Sequence, residues 1–173
     1  LSTPTSGPVV GANGVMAVIR GPNDKAAVIR VSASDGTEVA RTAELDVAGL
    51  PSSFSGNSTT SPALGAGGKT YVVDEAGALF VVPTNFAADA GAEWGVSLPA
   101  MVAGAVTASP TLDCNRRQPA SQTGVLYIAT ESGWLVSYLV DSPRGLDPSA
   151  PWPKYARDSR NTGSFDAGAI DCP

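Results

Sequence analysis

The residues with chemical potential in this chain are few and widely spaced. Cys114 and Cys172 are the only thiols, and no histidine occurs anywhere. Without histidine there is no imidazole base, no Ser–His or Cys–His nucleophile pair, and no imidazole ligand of the kind most zinc sites use. An even cysteine count with no Cys-x-x-Cys favours a structural bridge over metal or redox chemistry. Two free surface thiols in a reducing compartment are the alternative reading. A Cys114–Cys172 disulfide would stabilise the fold by about 4 kcal/mol on the chain-entropy view for a loop of that length. It would also imply an oxidising, extracytoplasmic compartment.

The carboxylates Asp74, Glu75, Asp113 and Glu131 sit in turn-like contexts, where acids are expected to be solvated rather than paired across a cleft. Arg116 and Arg117 stand beside Cys114 in a polar stretch. They read either as soluble surface or as a cationic recognition loop. Trp134 directly follows a turn glycine, which predicts partial exposure and a partner contact. Arg157, Asp158 and Arg160 form a local charge cluster worth little if exposed. Asn57-Ser58-Thr59 fits the glycosylation acceptor pattern, which has meaning only in a eukaryotic secretory route.

Composition narrows the classes further. The chain has 173 residues, with 11 basic against 16 acidic side chains and a net charge of −5. Lysine occurs only at Lys25, Lys69 and Lys154, so the basic stripe expected of a nucleic-acid surface is missing. No apolar run is long enough for a spanning helix. The sequence opens at Leu1 without a charged-then-apolar leader, so any targeting segment is expected to be removed or to lie outside it. With 19 Gly and 14 Pro, the chain should turn often and form few long helices.

The elements that would position these residues repeat. Pro8 to Gly14 and Pro62 to Gly68 share one spacing, and Gly68 to Gly77 and Gly124 to Gly133 share another. Between Pro110 and Gly124 the third copy carries an insert, which contains Cys114, Arg116 and Arg117. Tyr71–Val73, Leu79–Val82, Leu126–Thr130 and Trp134–Val140 are β-branched or aromatic runs, joined by the matching turns Glu75-Ala-Gly77 and Glu131-Ser-Gly133. The first copy has a longer hairpin at Arg20–Lys25 and a turn at Asp35-Gly36. Each copy reads as four short antiparallel strands, at the period of a β-propeller blade. A β-sandwich would share the strand spacing but not the glycine register. The predicted repeats cover roughly 5–47, 59–99 and 106–165 of one propeller portion spanning 1–173, with a tail at 166–173.

On these residues the chain resembles the pyrroloquinoline-quinone-type, or quinoprotein-alcohol-dehydrogenase-like, repeat propellers. Ser61 to Val82 carry the Ser-Pro-Ala-Leu-Gly-x-x-Gly pattern, the Tyr-Val strand, the acidic-x-Gly turn and the Leu-Phe strand. Ser109-Pro110 and Gly124 to Tyr138 repeat it, and Pro151-Trp-Pro-Lys-Tyr to Gly163 is similar to the Trp-Pro stretch that accompanies such repeats. The first copy departs most: Gly7 stands in place of Ser, and Ala17 in place of Tyr. The resemblance implies an all-β fold of about three four-stranded blades, an incomplete ring that is most simply the C-terminal part of a longer propeller. Self-association to complete the circle is the other route. It also implies that Trp94 and Trp152 are buried between blades.

Quinone-dependent members carry an adjacent cysteine pair and a calcium held by Glu, Asn and Asp. Cys114 has no neighbouring cysteine, and no such acidic set can be matched. The expectation is therefore a non-enzymatic, exported, bacterial scaffold (periplasmic, cell-surface or secreted) with no cofactor and no metal. Its inter-strand loops would hold a protein or surface-polymer partner. A fragment of a quinone-dependent oxidoreductase and a structural subunit of a surface assembly are the alternatives.

Overall fold

A computed structural model describes residues 5–46, 60–102, 104–115, 122–157 and Gly163. Within them there is no helix, only short strands and turns. The first sheet contains β1 (Val9–Gly11), β2 (Gly14–Arg20), β3 (Ala26–Val31) and β4 (Glu38–Arg41) in sequential antiparallel order. The second contains β5 (Ala63–Gly65), β6 (Lys69–Val73), β7 (Ala78–Pro83) and β8 (Trp94–Ser97) in the same order. The third contains β9 (Thr111–Cys114), β10 (Gly124–Ala129) and β11 (Leu135–Val140), and has three strands among the described residues. Each is a blade-like meander, as expected, and none closes into a barrel.

The sheets stack face to face, with their first strands side by side, β1 next to β5 and β5 next to β9. Alternation along the strands gives each interface its own core. Val9, Met16, Val18 and Val28 of the first sheet meet Leu64, Val72, Phe80 and Val82 of the second. Ala63, Tyr71, Val73, Leu79 and Val81 on the other face of the second sheet meet Leu112, Leu126, Ile128 and Val140 of the third. Every interior position of β7 up to Val82 is buried because both of its faces are covered.

Registers refine the repeat. Val9 lies opposite Met16 as Ala63 lies opposite Tyr71 and Thr111 opposite Tyr127. Met16, rather than Ala17, therefore occupies the tyrosine position of the first copy. The β1–β2 turn is one residue shorter than the β5–β6 turn, since Gly11 pairs with Gly14 but Gly65 with Lys69. Aligning Gly14 with Gly68 thus shifts the first copy by one. The replacement of Ser by Gly7 also has a steric cause: a Cβ there would lie 2.8 Å from Ser61 Oγ.

After β11 the chain turns back across the inner edges of the stack. Gly145 lies so close to β9 that a Cβ would meet Asp113 and Cys114 backbone atoms at 2.7 and 2.8 Å. Ala66 N–H donates to Gly145 O (3.0 Å) and Asp147 N–H to Leu64 O (2.8 Å). Leu64 N–H then donates to Pro153 O (2.7 Å), and Val10 and Trp152 exchange both backbone bonds (2.7 and 3.0 Å). The inner edges of β5 and β1 are thus paired by residues 145–153, a return strap that could not be helical with Pro143, Pro148, Pro151 and Pro153 in and beside it.

Candidate functional site

The third sheet ends the stack, and its β10–β11 hairpin carries Trp134. The turn before it is built like the one in the second sheet. Gly77 and Gly133 share a φ of 84°, a conformation open to glycine. Asp74 N–H donates to Ala78 O (2.9 Å) and Thr130 N–H to Trp134 O (3.0 Å). A side-chain oxygen closes each turn from the same place: Ala78 N–H donates to Asp74 Oδ1 (2.8 Å) and Trp134 N–H to Thr130 Oγ1 (3.3 Å).

The surroundings differ. A Cβ on Gly77 would strike Leu98 Cδ1 at 2.7 Å, whereas a Cβ on Gly133 would meet nothing within 4 Å. Trp134 is 47% exposed, as its place after the turn glycine led us to expect. Leu135 and Leu139 are 67% and 69% exposed on the outward face of β11, where they flank Ser137. Val125 and Tyr127, opposite Leu139 and Ser137, are half-buried on that same face. The outward face of β11 is thus apolar at Leu135 and Leu139, while Trp134, on the other face of the strand by alternation, is exposed at the hairpin tip.

Trp94 lies on β8 opposite Val81 and is 38% exposed. The expectation of burial between blades is corrected here: its face looks toward the third sheet, but among the described residues no fourth strand of that sheet covers it. Trp152 is half-buried, held through its backbone. Tyr138 bridges the gap between the two sheets by donating its hydroxyl to Ser97 O (3.2 Å), and burial raises its phenol pKa above the ordinary value. Tyr71, deeper in that interface, donates to Asp141 O (2.9 Å), and burial first and the Asp141 charge next raise its pKa further.

Asp74 and Glu75 are only 1% and 9% exposed, which corrects the expectation of solvated turn acids. Asp74 is held inside because its carboxylate caps the turn. The Glu75 backbone accepts Val106 N–H (3.0 Å), which draws that turn under the connection to the third sheet. Asp113 is in strand β9 rather than in a turn, and its Oδ1 accepts the Cys114 N–H (2.8 Å). Cys114 itself is buried at the end of β9. Cys172, Arg116 and Arg117 lie outside the described residues, as do Asn57, Ser58, Thr59, Asp158 and Arg160. No cluster of three or more His, Cys, Asp or Glu side chains that could hold a metal occurs among the described residues.

One cleft escaped sequence reasoning. Gly7, Ser61, Thr107, Ser109, Lys154 and Tyr155 line a hollow of about 500 Å³ where the three copies and the return strap converge. Ser61 N–H donates to Ser109 Oγ (2.9 Å) across adjacent copies, and the buried Lys154 Nζ donates to Tyr155 O (2.6 Å). This set offers hydroxyls and an ammonium, groups that can hydrogen-bond a polar ligand. Its sequence signals were the Ser-Pro repeat and the Trp-Pro-Lys-Tyr stretch, neither of which marked Lys154 as buried.

No family model matches the chain, and no curated protein matches it.

Proposed function

We propose that the chain is a non-enzymatic scaffold, part of a propeller of the pyrroloquinoline-quinone-repeat type, that binds a protein or surface-polymer partner at its open end. The observation that carries this reading is the exposure of large apolar side chains on the last sheet, Leu135 and Leu139 on its outward face and Trp134 at its hairpin tip. Such exposed patches mark interaction sites. The sister turn at Gly77 shows what a covered version looks like. Arg116 and Arg117, close after Cys114 in the sequence, would add cationic contacts to an acidic protein.

Export belongs to the same reading. Cys114 and Cys172 would form a disulfide that ties the C-terminal tail to the inner strand of the last sheet, which suits a periplasmic, cell-surface or secreted bacterial protein. Non-reducing mass spectrometry of the native protein should find that bridge; two free thiols would remove the argument for an extracytoplasmic address.

The scaffold reading is tested by thermal unfolding of the full chain with added quinone and calcium. It expects an unchanged midpoint, because it assigns no residues to either ligand. A saturable rise in the midpoint would favour the oxidoreductase reading instead.

A further inference from the structure

We infer that the open edge of β11 is a strand-addition site, filled by a single extended segment of a partner polypeptide that supplies the fourth strand of the third sheet. The inference rests on the scaffold reading and gives its binding site a chemistry.

Backbone alternation identifies the unpaired groups. Thr130 N–H donates to Trp134 O, so the pair Thr130–Trp134 is hydrogen-bonded, and bonded pairs recur at every second residue. The paired groups of β11 are then those of Val136, Tyr138 and Val140, opposite Ile128, Leu126 and Gly124. The N–H and C=O groups of Leu135, Ser137 and Leu139 point to the open side. The equivalent edge in the second sheet is occupied: β8 pairs with β7 from Val81↔Trp94 to Ala78↔Ser97. In the first sheet β4 occupies it.

Three further observations favour a ligand strand over simple solvation. The β11 edge, Leu-Val-Ser-Tyr-Leu-Val, carries no charge and no proline, the usual devices that protect a free edge, whereas β4 carries Glu38 and Arg41. Trp94, on the β8 face that a fourth strand would cover, is left partly exposed. Val96 and Leu98, packed beside Tyr138, are only half-buried.

The slot also limits its occupant. β8 lies beside β11, as the Tyr138–Ser97 hydrogen bond shows. A second copy pairing edge to edge through its own β11 would bring its second sheet onto the same side and into β8. One free-standing strand fits, with apolar side chains at alternate positions opposite Leu135 and Ser137 and at those that shield Trp94. This is β-augmentation, in which main-chain bonds give affinity and alternate side chains give selectivity.

The probe is a fluorescent synthetic peptide with the sequence of residues 92–98, the strand that fills the sister edge. In that edge Leu98 N–H donates to Gly77 O, so the Trp94, Val96 and Leu98 amides face the partner strand. Titrated with the full chain, the peptide should bind saturably. A peptide N-methylated at its Trp and Val should bind at least about tenfold more weakly, because two main-chain bonds are lost. Ser137→Pro should weaken the unmodified peptide similarly while preserving the fold, since the lost N–H faces the open side.

Absence of binding, or equal binding by the N-methylated peptide, would overturn the inference. Equal binding by a folded Ser137→Pro chain would overturn it too, as would a wild-type dimer that Ser137→Pro dissociates, which would assign the edge to a second copy. None of these outcomes touches the quinone and calcium test, so the scaffold reading fails or stands separately.

Discussion

The two ends of the sheet stack are built from the same repeat and finished differently. At the first end, Ala17, Ile19, Ala27 and Ile29 form the outward face of sheet one and are all buried, with Val31 partly so. At the last end, Leu135 and Leu139 stand in solvent, and β11 has no outer neighbour among the described residues. The register makes the comparison strict. Val28, Leu79 and Leu135 hold equivalent places opposite Val18, Val73 and Ala129. Val28 is fully buried in the first interface and Leu79 in the second, while Leu135 has no sheet to pack on among the described residues. The equivalent strand position is therefore apolar whether or not a neighbouring sheet covers it. The difference leaves the last outward face and edge available for contacts beyond the described sheets.

The largest expected effect comes from breaking a filled interface. Phe80, buried between sheets one and two, should cost about 3–5 kcal/mol when changed to Ala. Leu139→Ser, on the open face, should change stability by less than about 0.5 kcal/mol. Urea unfolding of both variants measures the contrast directly, and comparable losses would abolish it.

A second strong effect concerns the tail. Cys172→Ser should lower stability by about 2–4 kcal/mol if the proposed disulfide closes its loop. Denaturation of the variant beside the reduced and oxidised wild type checks this: the variant should match the reduced protein, and both should fall below the oxidised one.

Close approach at the inner strands comes next. A Cβ on Gly65 would lie 2.6 Å from Ser142 Oγ, 2.7 Å from Tyr71 Cε2 and 3.2 Å from Leu112 Cδ2. Gly65→Ala should therefore cost about 1–3 kcal/mol through overpacking. Gly133→Ala has open space around its Cβ, and its cost should come from the positive φ alone. Midpoint shifts of the two variants separate crowding from backbone strain.

The smallest effect is a pH dependence. Tyr71 has its pKa raised by burial and by Asp141, so the folded state favours the neutral phenol. That contribution is complete below the ordinary tyrosine pKa of about 10 and fades as pH rises beyond it toward the folded value. Tyr71→Phe should lose about 1 kcal/mol at neutral pH with its hydrogen bond to Asp141 O, and should flatten the alkaline slope. Stability curves from pH 7 to about 11 give both quantities.

Much of this architecture was legible because its signals are local. Gly77 and Gly133, each before a β-rich run, mark the two hairpins, and the matched spacings mark equivalent strands. The same reliance on glycine misplaced the first copy by one residue, since Gly14 pairs within a strand while Gly68 lies in the turn. Burial of Asp74 and Glu75 was hidden because it depends on the neighbouring connection that brings Val106 over the turn. Lys154 was hidden because the return strap, rather than its local sequence, puts it inside. Trp134 could be anticipated from its position after a turn glycine. The open β11 edge could not, because sequence shows a strand without showing whether another lies beside it.

Residue-resolved amide hydrogen exchange on the full chain tests the difference between the two ends most directly. Val28 has its outward N–H bonded to Thr42 Oγ1 (2.9 Å) and its C=O to Thr42 N–H (2.9 Å), so its amide should exchange slowly. Along β11 the amides of Val136 and Tyr138 should be slow, and those of Leu135, Ser137 and Leu139 should exchange much faster, in strict alternation. Protection of Leu135, Ser137 and Leu139 equal to that of Val28 would mean the last sheet is already complete, and would contradict the open end on which this account depends.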